Sequence, residues 1–394
     1  MNKATAGGRY KSCKSFLMAR ELAIYIHWPF CLSKCPYCDF NSRVMPSSED
    51  QNLWLMRYKE SLSSYKEKLP ERKITSIYFG GGTPSLMMPQ TIGGILDHIA
   101  MLWPLAESCE ITLEANPTSS ELDKFKAFRL SGVNRLSLGV QALEEEGLRF
   151  LGRQHDVAQA ERAVNEALEV FPRASFDLIY AYQGQTLKTW EATLRRALSF
   201  GLKHMSLYQL TIEPGSIFYK RGDRDSLKAN EALATDMFLA TNEQMTEAGL
   251  PPYEISNYAG QGEESRHNLT YWHYEDYIGI GPAAHGRFFA DQQYATKDES
   301  NPVAWLQGEP TYQETLLQKD AMTEALIMGL RLTEGIDKKR WQKRFSQDIE
   351  TGLDQGAIET LTQEGFLFNR EDKFGLTSRG RLFLDEVLVR ICSV

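Results

Sequence analysis

Cys31, Cys35 and Cys38 follow an apolar run over residues 23–30 with the spacing C-x3-C-x2-C, and no fourth cysteine follows closely. A [4Fe–4S] cubane has four irons, each normally held by one thiolate. Three closely spaced thiolates leave one iron open to bind and reduce another molecule. Parts of the set also fit other chemistry. Cys35-Pro36-Tyr37-Cys38 alone is the C-x-x-C of a thioredoxin-like pair, and with His27 as a further ligand the cysteines make a zinc site. The third cysteine, the aromatic Tyr37 and the strand pattern before Cys31 favour the cluster. Cys13, Cys109 and Cys392 are scattered. That usage fits a reducing, intracellular compartment, so the expected location is cytoplasmic.

Such a loop has to be held by a scaffold, and the first half of the chain supplies a regular one. Short β-rich runs at 22–28, 74–79, 110–115, 135–140, 175–180 and 204–210 alternate with amphipathic stretches at 52–69, 90–102, 120–130, 157–170 and 187–200. This alternation predicts parallel strands with right-handed crossovers, an α/β architecture. It does not by itself separate an open barrel from a doubly wound sheet. Parallel α/β barrels carry their chemistry at the C-terminal ends of the strands, and the cysteines leave the end of the first strand. Alternation sets Tyr25 and His27 on one face of that strand, with Ile24, Ile26 and Trp28 on the other.

Other strand ends carry groups suited to a ligand. The second ends in Gly80-Gly81-Gly82-Thr83-Pro84, a run that allows close approach of backbone or ligand. The third ends on Glu114. The fourth sets Ser137, Gly139 and Gln141 on its less apolar face, and the fifth buries Asp177 among apolar neighbours. Each has an ordinary reading as a buried hydrogen bonder; together, aimed at one lumen, they form a cradle.

Beyond residue 213 the pattern changes. A helix is expected at 230–248, then an aromatic, loop-rich stretch at 253–290. Helices at 321–332, 338–345 and 354–364 lead to a hairpin and a last helix at 378–389. The expected division is a basic, disordered extension over 1–20, a barrel over 21–220, an α+β extension over 221–310 and a winged-helix-like domain over 311–394. The net charge of −8, from 52 acidic and 44 basic residues, argues against nucleic acid as a partner. One basic run, Lys338-Lys339-Arg340-Trp341-Gln342-Lys343-Arg344, reads as a solvated helix face or a surface for an anionic partner. No apolar stretch approaches the ~20 residues of a membrane-spanning helix.

The segment from Tyr25 to Phe40 resembles the signature of radical S-adenosylmethionine (SAM) proteins, in the coproporphyrinogen III oxidase-like branch. The resemblance runs from about Leu22 to the C-terminus. It implies an open six-unit (β/α)6 barrel in which the amino and carboxylate groups of SAM chelate the open iron. An electron from the cluster then splits the sulfonium to methionine and a 5′-deoxyadenosyl radical. Carried over position by position, it implies SAM contacts for Tyr25, Tyr37, Gly81, Gly82, Thr83, Glu114, Gln141, Arg153 and Asp177. One departure is local: where the family often has glycine-leucine-proline after the fifth-strand acid, this chain has Ala181-Tyr182-Gln183 before Gly184-Gln185-Thr186.

That branch holds oxygen-independent coproporphyrinogen III oxidases and haem chaperones of the HemW group. The oxidases resemble C-x3-C-x2-C-x-C; here Phe40 stands at the fourth-cysteine position, which argues against porphyrinogen decarboxylation. The run His267-Asn268-Leu269-Thr270-Tyr271-Trp272 resembles the H-N-x-x-Y-W motif of the chaperone group. It implies haem contact by His267, Asn268, Tyr271 and Trp272, since imidazole is a good axial ligand and flanking aromatics stack on a porphyrin. His273 and His285 are nearby alternatives. The resemblance thus implies a chaperone that binds a cluster, SAM and haem, delivers haem to haem-requiring acceptor proteins, and needs an electron donor if SAM is cleaved. The alternatives are an oxidase-type radical SAM enzyme and a cluster-based redox-sensing module that reads DNA through the winged helix.

Overall fold

The computed structural model describes residues 20–46 and 50–392. The extension expected over 1–20 lies outside the described residues up to residue 19, and Cys13 with it. Six strands, β1 (Arg20–Trp28), β2 (Arg72–Gly81), β3 (Leu105–Ala115), β4 (Arg135–Gln141), β5 (Arg173–Tyr180) and β6 (His204–Gln209), pair in parallel in chain order. Helices α1 (Gln51–Lys68), α2 (Pro89–Leu102), α3 (Phe125–Leu130), α4 (Val157–Val170) and α5 (Leu187–Ser199) make the crossovers. Local sequence starts these helices cleanly. Pro89 sits at the first position of α2, and Asp156 with Gln159 closes a capping box on α4.

The outward strand faces carry the core. Ile24, Ile26 and Trp28 of β1 are fully buried, as are Ile77 and Phe79 of β2. Trp28 packs edge-on against Trp54 of α1 at 5.2 Å, and Trp54 stacks on Trp305 at 5.4 Å. With these residues committed to the helices, Tyr25, His27, Ser76, Tyr78 and Glu114 turn toward the lumen.

The sheet stays open. β6 pairs antiparallel with β7 (Asn257–Ala259), while the free side of β1 takes β8 (Tyr277–Ile280) in parallel. Strands β9 (His285–Phe289), β10 (Gln293–Lys297) and β11 (Tyr312–Thr315) continue antiparallel from β8, giving a sheet of eleven strands among the described residues. The region expected as an α+β extension therefore adds strands to both margins of the barrel sheet. It also carries α6 (Glu231–Glu247) and α7 (Arg266–Trp272), the helix of the H-N-x-x-Y-W motif.

The C-terminal region has its own core around Leu326, Leu330, Trp341, Phe374 and Leu376. It comprises α8 (Gln318–Gly329), β12 (Ile336–Asp337), α9 (Lys338–Phe345), α10 (Gln355–Gln363), β13 (Leu367–Asn369), β14 (Lys373–Leu376) and α11 (Leu384–Ile391). Helices followed by the β13–β14 hairpin give the winged-helix-like arrangement.

Three helix expectations shift. The helix expected over 120–130 is split into Ser119–Leu122 and α3, because the Glu121 carboxylate turns in to accept from the Asn116 N–H (2.8 Å) and the Ser85 hydroxyl. The last helix breaks at Phe383, whose ring packs on Phe366 at 5.6 Å. The helix expected over 321–332 runs three residues earlier. In the basic run, Lys338 is bound to Glu350 and Asn369, Arg340 to Glu275 and Arg344 to Asp276, so only part of the run faces solvent freely.

Candidate functional site

The cysteine loop is set by backbone pairing on both sides. Phe30–Cys31 pairs with Arg43–Val44, so the loop folds back beside its own start. β2 then approaches it: the Gly82 N–H donates to the Trp28 carbonyl (2.7 Å) and the Thr83 N–H to the Phe30 carbonyl (2.8 Å). This approach explains the glycine run. Gly81 has φ +113°, and a Cβ on Gly82 would lie 2.6 Å from the Phe30 carbonyl oxygen. Cys31 is buried, while Cys35 and Cys38 are half-buried; all three are free thiols. Burial pushes the Cys31 and Cys38 thiols up, opposed at Cys31 by hydrogen bonds from Thr83 and Ser42 and at Cys38 by those from the Phe40 backbone and Ser42. Iron binding has to displace those protons. Among the described residues no group of three or more His, Cys, Asp or Glu converges on a single ion. A cubane does not need such convergence, because each thiolate takes a different iron.

Around the loop the expected cradle falls into connected groups. Arg153 donates to the Cys35 sulfur (3.3 Å), to the Tyr37 hydroxyl (3.5 Å), to the Gly139 carbonyl (2.7 Å) and to the Asn116 side-chain oxygen. The Asn116 amide donates in turn to Thr83 Oγ1 at 3.0 Å. Arg153 Nε is buried with no partner, an open donor beside the cysteines. Gln141 ends β4 at φ +72°, a conformation that costs a non-glycine residue ~1–3 kcal/mol and aims its side chain at Gly139 and Arg153.

A second group descends into the lumen. Tyr25 OH lies 3.0 Å from His27 Nδ1, and His27 Nε2 lies 3.0 Å from the Asn41 carbonyl. Glu114 accepts from Tyr78 OH (2.8 Å) and from the Gly81 N–H (3.2 Å). Burial raises the Glu114 carboxyl to about 7, against the lowering effect of the Tyr78 bond. Asp177 rises to about 6, again through burial, opposed by Ser206 and then Arg135 and Arg153. Cys31, Cys35, Cys38, Tyr25, Tyr37, Gly81, Gly82, Thr83, Glu114, Gln141, Arg153 and Asp177 thus share one end of the sheet.

The motif helix sits at the other end. His267 is buried, with Nδ1 2.9 Å from Ser76 Oγ and Nε2 2.7 Å from Tyr271 OH. Its backbone N–H donates to Glu110 at 3.2 Å. Ser76 precedes Gly81 by five strand residues, about 16 Å at ~3.3 Å per residue. Burial, with Arg135 nearby, lowers the His267 imidazole to about 3, so it is neutral. Three mutually packed rings join the two ends: His267 lies 5.0 Å from Tyr78 and 6.4 Å from Tyr25, and the two tyrosines are 6.2 Å apart. Asn268 and Tyr271 are half-buried, while Trp272 stacks under Arg331 at 4.7 Å. His273 binds Glu334, and His285 is exposed.

Sequence reasoning missed Asn116, Tyr78, Ser42 and Glu110. Asn116 was within reach, being the first residue beyond the third strand end. Tyr78 shares a face with Gly80, but its pairing with Glu114 depends on interstrand register.

Comparison with known proteins gives the family. A model described as the radical SAM superfamily matches residues 25–197, and one described as the HemN C-terminal domain matches 316–383. The chain is 36% identical to "Heme chaperone HemW" of Haemophilus influenzae over 380 residues, covering 93% of this chain and 97% of that protein. It is 35% identical to the Escherichia coli protein of that name over 375 residues, covering 93% and 97%. It is also 36% identical to "Radical S-adenosyl methionine domain-containing protein 1, mitochondrial" of Danio rerio over 391 residues, covering 95% and 87%. In fold it matches the coproporphyrinogen III oxidase HemN of Escherichia coli at TM-score 0.78 and 21% identity, over 94% of this chain and 89% of that one. A radical SAM domain implies a [4Fe–4S] cluster and SAM. Among the described residues no helix is long and apolar enough to cross a membrane. The chain belongs to the radical SAM superfamily, in its HemN-like branch and the HemW group within it.

Proposed function

We propose that the protein is a cytoplasmic haem chaperone of the radical SAM type. It holds a [4Fe–4S] cluster on Cys31, Cys35 and Cys38, binds SAM in the adjoining cradle, takes up haem at the His267 segment and delivers it to haem-requiring acceptor proteins. The observation that carries this reading is one lumen with the thiols at one end, the motif helix at the other and the packed rings of Tyr25, Tyr78 and His267 between them.

When bound, the cluster and SAM supply one-electron chemistry at a sulfonium, drawing on an electron donor if SAM is cleaved. The residues divide the binding work. The Arg153 fork and its unpartnered Nε suit a carboxylate. Gly81, Gly82 and Thr83 offer a close backbone edge, with Tyr25, Tyr37 and Gln141 beside it. Glu114 and Asp177, raised by burial, suit an ammonium or sulfonium and ribose hydroxyls, a cation's arrival favouring their ionised forms. At the haem end, neutral His267 is in the form that ligates iron. Its Nε2 would exchange the Tyr271 hydroxyl for the metal, with Asn268, Tyr271 and Trp272 alongside.

The enzymatic alternative, oxidative decarboxylation of porphyrinogen propionates, is disfavoured by Phe40, whose ring is 56% exposed beside the thiols. A DNA-reading redox module is disfavoured by the pairing of Lys338 with Glu350 and of Arg344 with buried Asp276. The test is anaerobic reconstitution with iron, sulfide, SAM and haem, with spectra of wild type and His267→Ala. A cluster signal and a Soret band weakened in the variant support the reading. A cluster without haem binding overturns it and makes coproporphyrinogen III the next substrate to try.

A further inference from the structure

Immediately after the motif, five consecutive residues are each held by a different charged residue of the C-terminal domain. The Trp272 ring lies under Arg331 at 4.7 Å, and His273 Nε2 is 3.0 Å from Glu334. Tyr274 OH donates to Glu324 at 2.6 Å, Glu275 pairs with Arg340 at 3.5 Å, and Asp276 pairs with Arg344 at 2.9 Å. No alternation of a helix or strand would point five neighbours at one body; the chain achieves it by turning sharply at Tyr274. That residue has φ +53°, a left-handed conformation that is a true outlier for a bulky side chain. The turn ends α7, closed by the Glu275 N–H on the Thr270 carbonyl and the Tyr274 N–H on the Tyr271 carbonyl, both at 2.9 Å. The side chain it turns outward is held by the other domain. The Tyr274 ring is buried in the C-terminal core against Phe345, with Arg344 over its face at 5.2 Å. Glu324 is itself held by Arg287 through two bonds of 2.9 Å.

The consequence falls on His267, one turn up the same short helix. Both of its ring nitrogens are engaged, and it is 1% exposed. With its ring enclosed by Ser76, Tyr78, Tyr25 and Tyr271, it is out of reach of a tetrapyrrole in this conformation. We propose that the C-terminal domain is a latch: Glu324, Arg340 and Arg344 act as positioning residues that hold the motif helix closed, and their release opens His267 to a planar ligand. The identity of that ligand as haem rests on the function proposed above; the latch itself rests on the contacts.

The experiment uses the full chain and maps diethylpyrocarbonate modification of each histidine by mass spectrometry. The variants are Glu324→Gln and the milder Arg340→Gln, which touches only a surface-exposed pair. In wild type His267 reacts far more slowly than exposed His285. Loss of the charged hydrogen bond in Glu324→Gln raises the His267 rate about ten-fold, and loss of the exposed pair in Arg340→Gln raises it about two- to five-fold. Buried His27 and His155, which touch none of the latch residues, keep their rates. An unchanged His267 rate in both variants overturns the latch, and so does a rise shared equally by the other buried histidines. Haemin titration of the same proteins separates the two ideas. If His267 opens selectively but haemin loading is no faster, the latch stands and the haem assignment of the motif falls.

Discussion

Arg153 sets one terminal nitrogen 3.3 Å from the Cys35 sulfur and the other 2.7 Å from the Gly139 carbonyl. One half-buried cation, 118 residues from Cys35 in the chain, thus ties the cysteine loop to the fourth strand. Through Asn116 it also reaches Thr83 beside the glycine run. Three separate segments that the proposed SAM site requires are therefore cross-braced by a single side chain.

Arg153→Lys keeps the charge but not the fork, so it cannot hold Cys35, Gly139 and a ligand carboxylate together. Loss of one charged hydrogen bond, about 1.5–3 kcal/mol, lowers SAM affinity roughly 10- to 100-fold. Equilibrium dialysis of the reconstituted protein measures it; wild-type affinity in the variant removes Arg153 from the ligand site.

Alanine at Cys31, Cys35 or Cys38 is expected to abolish iron retention after anaerobic reconstitution and desalting. Cys109→Ser and Cys392→Ser, which lie outside the loop, retain wild-type iron. Colorimetric iron and sulfide assays decide. Full iron in all three loop variants would end the cluster assignment.

Glu114 titrates at about 7 and Asp177 at about 6 in the folded, ligand-free chain, both raised first by burial. Unfolded carboxyls titrate near 4. The folded form therefore binds more protons across that interval, and these two groups make stability fall as pH rises from about 4 to about 7, with no further change above. Glu114→Gln is expected to exceed wild type by about 1–3 kcal/mol at pH 8 and to match it near pH 4.5. Urea unfolding at both values is the measurement. Parallel profiles would place the Glu114 carboxyl in its ordinary range.

Glu110 is buried and shared by Arg173 (in contact at 2.5 Å), Arg135 (3.9 Å) and the His267 N–H (3.2 Å). Removing it leaves buried Arg135 with no carboxylate and Arg173 with Glu263 alone, so Glu110→Ala costs about 3–5 kcal/mol. Glu263→Ala, which takes a half-exposed partner from Arg173, costs under about 1 kcal/mol. Chemical denaturation of both variants tests the contrast.

Much of the scaffold was legible because it is written in local periodicity. All six parallel strands fall where alternating apolar runs predict them, and α4 matches its expected range residue for residue. Helix ends were less legible where a side chain left the helix for a distant partner, as Glu121 does toward Asn116 and Ser85. The cysteine spacing and the polar strand ends were legible for a similar reason: barrel topology delivers every C-terminal strand end to one face.

What the sequence alone determined is therefore the thiol triplet, the alternation that builds the sheet and the motif that marks the family. Only the tertiary structure decided that His267 lies at the far end of the lumen from Cys31. It also decided that the basic run grips residues 275 and 276, and that Tyr274 belongs to the other domain's core. These depend on interstrand register and on contacts between segments tens to hundreds of residues apart, and neither leaves a periodic trace in the chain.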